Sequence, residues 1–370
     1  MKKLGFGLMR LPLTDPADNR TIDVERTAKM ADRFLAEGFT YFDTAAPYHQ
    51  GESEVAFKKA VAERYPRESY IITDKLSLFK IEKAEDIPSF FDTQLEKLGV
   101  GYLDYYLLHA MSESSYSRAC EFGAFEFAAK KKAEGKIKHV GFSFHDSPEV
   151  LDRILTEHPE MEVVQLQINY LDWHDPGVRA RECYEVARRH GKDIIIMEPV
   201  KGGALANVSC EAVELFCAAR PQLSTAGWAV SFCASLPGVI MVLSGMSTEE
   251  QMEDNISYMK DFQALTDDEI MLCKRAGEIV KNDNAVACTA CRYCVEGCPQ
   301  KVAIPDIFRI YNNYLRFQKA NPEGARRGYD HVTENLGRAS DCIECGLCEE
   351  SCPQHLDIRA YLKEIAEVLE

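Results

Sequence analysis

The chain has 370 residues, 46% of them hydrophobic and 28% charged, which suits a soluble globular protein with one large domain and a smaller second one. A formal net charge of −16 argues against nucleic acid and anionic membrane surfaces as main partners. The apolar run 239–243 is far shorter than the roughly 20 residues that cross a bilayer.

Lys2-Lys3 ahead of residues 4–9 imitates the start of a signal peptide, but Arg10 cuts the run short and no small-residue cleavage site follows. A cytoplasmic location is expected. Of the 14 Cys, six are scattered and eight form two tight clusters near the C-terminus. Scattered thiols suit a reducing compartment and not a disulfide scaffold.

Taken in order, residues 4–9 read as a first strand and 23–37 as a helix stopped by Gly38. The second strand is 39–42, followed by a helix at 53–63. Strand 70–75, a helix at 88–98 ending at Gly99, and strand 102–109 come next. Helix 122–134 ends at Gly135 and leads to strand 137–143. Helix 148–157 precedes strand 162–168, and helix 178–190 ends at Gly191 before strand 193–197. Two short helical segments, strand 239–243 and a helix at 248–258 complete the pattern. Strands alternating with helices imply a parallel sheet, and eight such units over about 250 residues are the size of a (β/α)8 TIM barrel. The competing open doubly wound sheet lacks support, because no G-x-G-x-x-G fingerprint follows the first strand.

In such a barrel the chemistry sits at the strand ends. Asp43 closes the second strand, and Tyr48 follows five positions later, past the turn Ala45-Ala46-Pro47. Lys75 ends the third strand and His109 the fourth. A free phenol, with a pKa of about 10, is a poor acid near neutrality and needs a cation beside it. Alone, each residue reads as a cap, a solvated charge or a core histidine. In this order, at successive strand ends, they resemble the Asp, Tyr, Lys, His tetrad of the aldo-keto reductases, a likeness covering the first three quarters of the chain.

The resemblance implies reduction of an aldehyde or ketone by a nicotinamide. Tyr48 would donate the proton, Lys75 would lower its pKa, Asp43 would orient Lys75, and His109 would hold the substrate oxygen. It also implies cofactor contacts. Ser143 and Gln165 match positions that hold the carboxamide, although Phe144-His145 stand where Asn is familiar. Met197 takes the place of a stacking Tyr; core packing is its bland alternative. The run Ser244, Gly245, Met246 into a helix with Gln251 and Asn255 is similar to the family's phosphate and adenine loop. Gly245 and Gln251 stand where NADP-preferring members often carry cations, so NADP and NAD both stay open. Lys201 is a candidate for the pyrophosphate.

The C-terminal cysteines carry the strongest signal. Cys288, Cys291, Cys294 and Cys298-Pro299 repeat as Cys342, Cys345, Cys348 and Cys352-Pro353. Three thiolates so spaced reach one 4Fe-4S cubane, and the fourth, before Pro, ligates the other cluster in two-cluster ferredoxins. Zinc ribbons need four ligands, not two sets of four with a trailing Cys-Pro. Helices are expected at 304–319 and 355–369, and the 43 residues between Cys298 and Cys342 resemble the connector of helical two-cluster ferredoxins. The expected domains are a barrel over 1–279 and a helical ferredoxin domain over 280–370, with the break in the polar stretch 280–287.

Two functions fit. One is an NAD(P)H-dependent reductase of a small carbonyl substrate whose clusters exchange electrons with a partner protein or a flavin. The other is a nicotinamide-binding sensor with structural or sensing clusters; the full tetrad favours the first. The segment 111–122 is read as a substrate loop with no legible code.

Overall fold

The computed structural model describes residues 2–16, 18–283, 286–316 and 322–370. The expected boundary residues 284–285 and the end of the expected helix at 317–319 lie outside them. The chain divides into two compact units. One comprises Met1–His174, Arg179–Pro199 and Gly227–Thr266; the other Asp175–Val178, Val200–Ala226 and Asp267–Glu370. The second unit thus takes two stretches of chain from before position 267 in addition to the cysteine region.

The first unit is built on eight parallel strands: β1 Leu4–Gly7, β2 Tyr41–Asp43, β3 Ile71–Leu76, β4 Leu103–Met111, β5 Ile137–Phe144, β6 Val163–Gln167, β7 Asp193–Met197 and β8 Val239–Ser244. They pair in sequence and close with Gly5 of β1 opposite Leu243 of β8, giving the expected (β/α)8 barrel. Alternation sorts the faces. Tyr41, Leu107, Val163, Ile195, Met241 and Leu243 fill one buried cluster. The neighbouring Phe42 turns the other way and packs edge-on against Phe34 and Phe57, which lie on helices Val24–Ala36 and Ser53–Phe57. Burying each such ring contributes roughly 1.5–3 kcal/mol. At Gly141 the strands approach so closely that a Cβ would lie 2.0 Å from the Val163 carbonyl oxygen, so the register of β5 on β6 requires glycine there.

The helices start and stop for local reasons. Asp23 accepts from Arg26 N and caps Val24–Ala36. Gly99, at φ +68°, ends Ile87–Leu98. The stretch read as a substrate loop contains the helix Glu113–Glu121, capped by Ser112 and Ser115, before a break at Gly123 and the helix Ala124–Ala133.

The second unit is helical: Cys210–Ala219, Asp267–Asp283, Ile304–Arg316, Pro322–Thr333 and Ile358–Leu369 carry it, with single turns at Tyr293–Glu296 and Leu347–Glu350. Its core gathers Ile307, Phe308, Tyr311, Tyr329, Leu362 and Ile365. The Arg220 guanidinium bonds Glu269 Oε2 at 2.6 Å, tying the segment before β8 to the long helix after it. Among the described residues no helix is long and apolar enough to cross a membrane.

Candidate active site and cysteine cavities

The four tetrad residues converge at the C-terminal ends of β2, β3 and β4. Lys75, fully buried, places its ammonium 2.6 Å from Asp43 Oδ1, 2.8 Å from the Thr44 carbonyl and 3.3 Å from the Tyr48 phenol oxygen. Burial lifts the Asp43 carboxyl above its ordinary range, opposed first by Lys75 and then by Gln165. Burial, and then the carboxylates of Asp43, Glu198 and Asp74, push the Tyr48 phenol well above its ordinary pKa. Desolvation of the phenolate outweighs the nearby positive charge of Arg10, and the Lys75 ammonium donates to the phenol oxygen. His109 is moved well below its ordinary pKa by burial and then by the Lys75 charge and His145. Its Nδ1 pairs with Ser77 Oγ at 2.7 Å, and the exposed ring of Phe79 lies 5.6 Å from its own.

Behind Lys75 the outer face of β3 carries a buried polar cluster. Asp74 accepts from Lys75 N at 2.8 Å, and Gln94 Nε2 donates to Asp74 Oδ2 at 2.8 Å and to the Lys75 carbonyl at 3.0 Å. Tyr106 donates to Gln94 Oε1, and Lys97 reaches the buried Glu54 at 3.2 Å. This cluster clamps the backbone from which Lys75 projects. Burial, and then the Glu54 charge, raise the Asp74 carboxyl well above its ordinary range.

Ser143 and Gln165 are direct ladder partners on β5 and β6, so they project side by side. Ser143 Oγ accepts from Ala110 N at 2.8 Å, and Gln165 Nε2 donates to Asp43 Oδ2 at 3.1 Å. Met197 pairs with Gln167 at the end of β7. Glu198 follows at φ +55° and its carboxylate meets Arg10 at 3.6 Å. The Arg10 stem lies against Gly245, 3.2 Å from where a Cβ would sit. Asn255 donates to Ser244 Oγ at 3.3 Å. Gln251 Oε1 accepts from Ser247 N at 2.7 Å, and Met246 is wholly buried. The structure places Lys201 in the second unit, buried, with its ammonium 3.2 Å from Gln354 Oε1.

Glu198 was expected at a strand end, whereas Thr44, Ser77, Gln94 and Arg10 were not singled out as site residues from sequence. Thr44 acts through its carbonyl, which residue identity does not reveal. Ser77, two residues after Lys75 along the strand exit, was the one within reach of a pattern.

The two cysteine motifs fold alike. Backbone in the left-handed region recurs at matching offsets: Ala290 and Glu344, Arg292 and Gly346, Lys301 and His355. Such a turn aims amides at sulfur, as Ala290 N does at Cys288 Sγ, 3.3 Å away. The thiols then sort across the motifs. Cys288, Cys291, Cys294 and Cys352 line one cavity. Cys298, Cys342, Cys345 and Cys348 line a second. Among the described residues no three His, Cys, Asp or Glu converge as a single ion requires. Four thiols facing one cavity suit a cationic inorganic core larger than a single ion. Burial, and then Cys291, Cys288 and Cys352, push the Cys294 thiol above its ordinary pKa.

The barrel and its strand-end tetrad define an oxidoreductase scaffold, and the crossed cysteine cavities define an iron–sulfur one. The aldo/keto reductase family matches residues 3–278, and the 4Fe-4S dicluster domain matches residues 287–356. The chain belongs to the aldo/keto reductase family and carries a 4Fe-4S dicluster domain after the barrel. A probable aldo-keto reductase of Glycine max is 30% identical over 47% of this chain and 49% of its own length. The NADH-specific methylglyoxal reductase of Escherichia coli is 23% identical over 60% of this chain and 78% of its own length. The holo form of the aldo-keto reductase AKR11C1 from Bacillus halodurans shares the fold, with TM-score 0.58 and 24% identity over 74% of this chain and 91% of that one. A Klebsiella pneumoniae aldo/keto reductase in complex with NADP and acetate does so with TM-score 0.58 and 19% identity, over 74% and 90%.

Proposed function

We propose that the barrel reduces a small carbonyl substrate at the expense of NAD(P)H, and that the cysteine cavities hold two 4Fe-4S clusters that pass single electrons. The observation that carries the reading is the Lys75 ammonium, buried between Asp43 at 2.6 Å and the Tyr48 phenol at 3.3 Å.

A bound reduced nicotinamide would supply the hydride. The chain supplies the rest. Tyr48 keeps its proton at neutral pH and delivers it to the carbonyl oxygen. Lys75 stands beside the phenolate left behind, and Asp43 with the Thr44 carbonyl fixes the ammonium there. His109 is neutral; in the tautomer in which Ser77 Oγ donates to Nδ1, its Nε2 proton is available to the substrate oxygen.

Ser143 and Gln165 are assigned to the carboxamide and Met197 to the ring face. Ser244, Gly245 and Asn255 are assigned to the phosphate end, where Arg10 brings the nearest cation to Gly245. Met246 and Gln251 are engaged in core packing and in capping their own loop, and act by shaping it. Lys201, tied to Gln354, is assigned to the cysteine side rather than to the pyrophosphate. The reading keeps both NADH and NADPH, since one similar protein is named NADH-specific and another is in complex with NADPH.

The test is steady-state turnover of anaerobically reconstituted protein, with NADH and with NADPH, against a panel of aldehydes, ketones and quinones. Turnover with a carbonyl supports the reductase. Tight nicotinamide binding with no turnover on any member replaces it with the sensor reading.

A further inference from the structure

Lys201 follows β7 by four positions, yet the segment Val200–Ala226 belongs to the second unit. Its side chain is 3% exposed, a costly place for an ammonium, and bonds Gln354 Oε1 at 3.2 Å. Gln354 comes directly after Cys352-Pro353 and lines the cavity of Cys288, Cys291, Cys294 and Cys352. The next residue holds the loop to the same wall. A Cβ on Gly202 would lie 2.2 Å from the carbonyl oxygen of Thr289, the residue after Cys288. Both Lys201, at φ +46°, and Gly202, at φ +62°, are left-handed. That conformation disfavours a lysine, so packing imposes it.

The two cavities differ in buried charge. Thr289, Arg292 and Gln354 line the first, with the buried Lys201 behind Gln354. Among the described residues no lysine or arginine lines the second, whose wall beyond its cysteines includes Val302, Ile304, Ile343 and Leu362; the cation that acts on its Cys348, Arg359, is exposed.

We propose that Lys201 is a positioning residue for the first cluster site: its buried cation raises the reduction potential of the cluster held by Cys288, Cys291, Cys294 and Cys352, and leaves the other cluster's potential unchanged. The inference rests on the two-cluster reading above. Reduction adds one electron to the cluster, supplied in the test by a chemical one-electron reductant, and so adds one negative charge. A desolvated cation nearby stabilises the reduced form more than the oxidised one, because the low dielectric between them screens weakly. Outer-shell partners tune a metal centre in this way without ligating it. The first site then holds the electron more firmly than the second.

The experiment is a redox titration of the full chain, reconstituted anaerobically and followed by electron paramagnetic resonance, with iron and sulfide content measured alongside. Lys201→Met should retain its iron, lower one of the two potentials and leave the other in place. Lys201→Arg, which keeps the charge, should stay near the parent. A Lys201→Met protein with both potentials unmoved or both shifted equally, or a Lys201→Arg shift as large as that of Lys201→Met, overturns the proposal, since a merely structural role would not depend on charge. Should Lys201→Met lose iron, Lys201→Gln, which keeps a donor for Gln354, carries the same test. A parent chain without 4Fe-4S signals fails at the cluster reading itself and removes the inference with it.

Discussion

The Lys75 ammonium donates to the Tyr48 phenol oxygen from 3.3 Å and also lies over the same ring, 4.8 Å from its centroid. Because the phenol oxygen accepts from lysine, its own proton points away and is free to be given. Tyr48→Phe removes that proton and leaves Ser143, Gln165 and Ser244 untouched. The expected outcome is a loss of at least about 100-fold in kcat for a carbonyl substrate, with nicotinamide affinity within a few-fold of the parent. Stopped-flow turnover together with fluorescence titration of NAD(P)H measures both; a parent-like rate would remove Tyr48 from the chemistry.

His109 gives a pH dependence with a definite sign. Its folded pKa lies well below the ordinary value of about 6.5, through burial, Lys75 and His145. Between the two values the unfolded chain binds more protons than the folded one, so stability rises with pH across that window and falls as pH drops from about 7. His109→Gln removes this contribution. Relative to the parent, the variant should gain stability on going from pH 7.5 to 5.5 in urea unfolding. An unchanged difference between the two pH values refutes the assignment of a neutral buried histidine.

The cysteine cavities predict ligand sets that cross between the motifs. Cys352→Ser should empty the site of Cys288, Cys291 and Cys294, and Cys298→Ser the site of Cys342, Cys345 and Cys348. Each variant should fall from about eight to about four iron per chain. In the double variant Cys352→Ser with Cys288→Ser, both changes strike one site, so about four iron should remain. Zero iron in that double variant would mean that each run of four cysteines closes on its own metal.

A nicotinamide delivers two electrons as hydride, whereas a 4Fe-4S cluster takes one, and coupling them ordinarily needs a flavin or a similar intermediary. NAD(P)H alone is therefore expected to leave the clusters oxidised over many turnovers. Anaerobic stopped-flow with flavin-free protein decides the matter: bleaching of the cluster absorbance within one turnover overturns the expectation.

The barrel was legible because its strands are short apolar runs and its helices stop at Gly38, Gly99, Gly135 and Gly191, all left-handed in the structure. The tetrad was legible because residue type and position at a strand end suffice to suggest it. What failed was non-local. The helix Pro322–Thr333 carries Gly324 and Gly328, which lower its propensity. It forms because Gly328 lets the chain close on Ile310, where a Cβ would lie 3.1 Å from Ile310 Cδ1. The helix Glu113–Glu121 starts from a Ser112–Ser115 cap in place of the usual Glu or Gln partner. Lys201 reads as a barrel-loop charge until a residue 153 positions away claims it. The raised Tyr48 pKa depends first on desolvation, which has no sequence signature, and then on Asp43 and Glu198.

The second unit's ownership of residues 200–226 bears on ancestry. A ferredoxin cassette simply appended to a finished barrel would leave one seam near position 280, and either half could be traded between genes. Here the sequence between β7 and β8 supplies Lys201, Gly202 and the Arg220 tie to Glu269 to the far unit. A transplanted tail would arrive without them, and a donor barrel would keep a loop shaped for a neighbour it had lost. An exchange of the tail alone would separate it from residues 200–226.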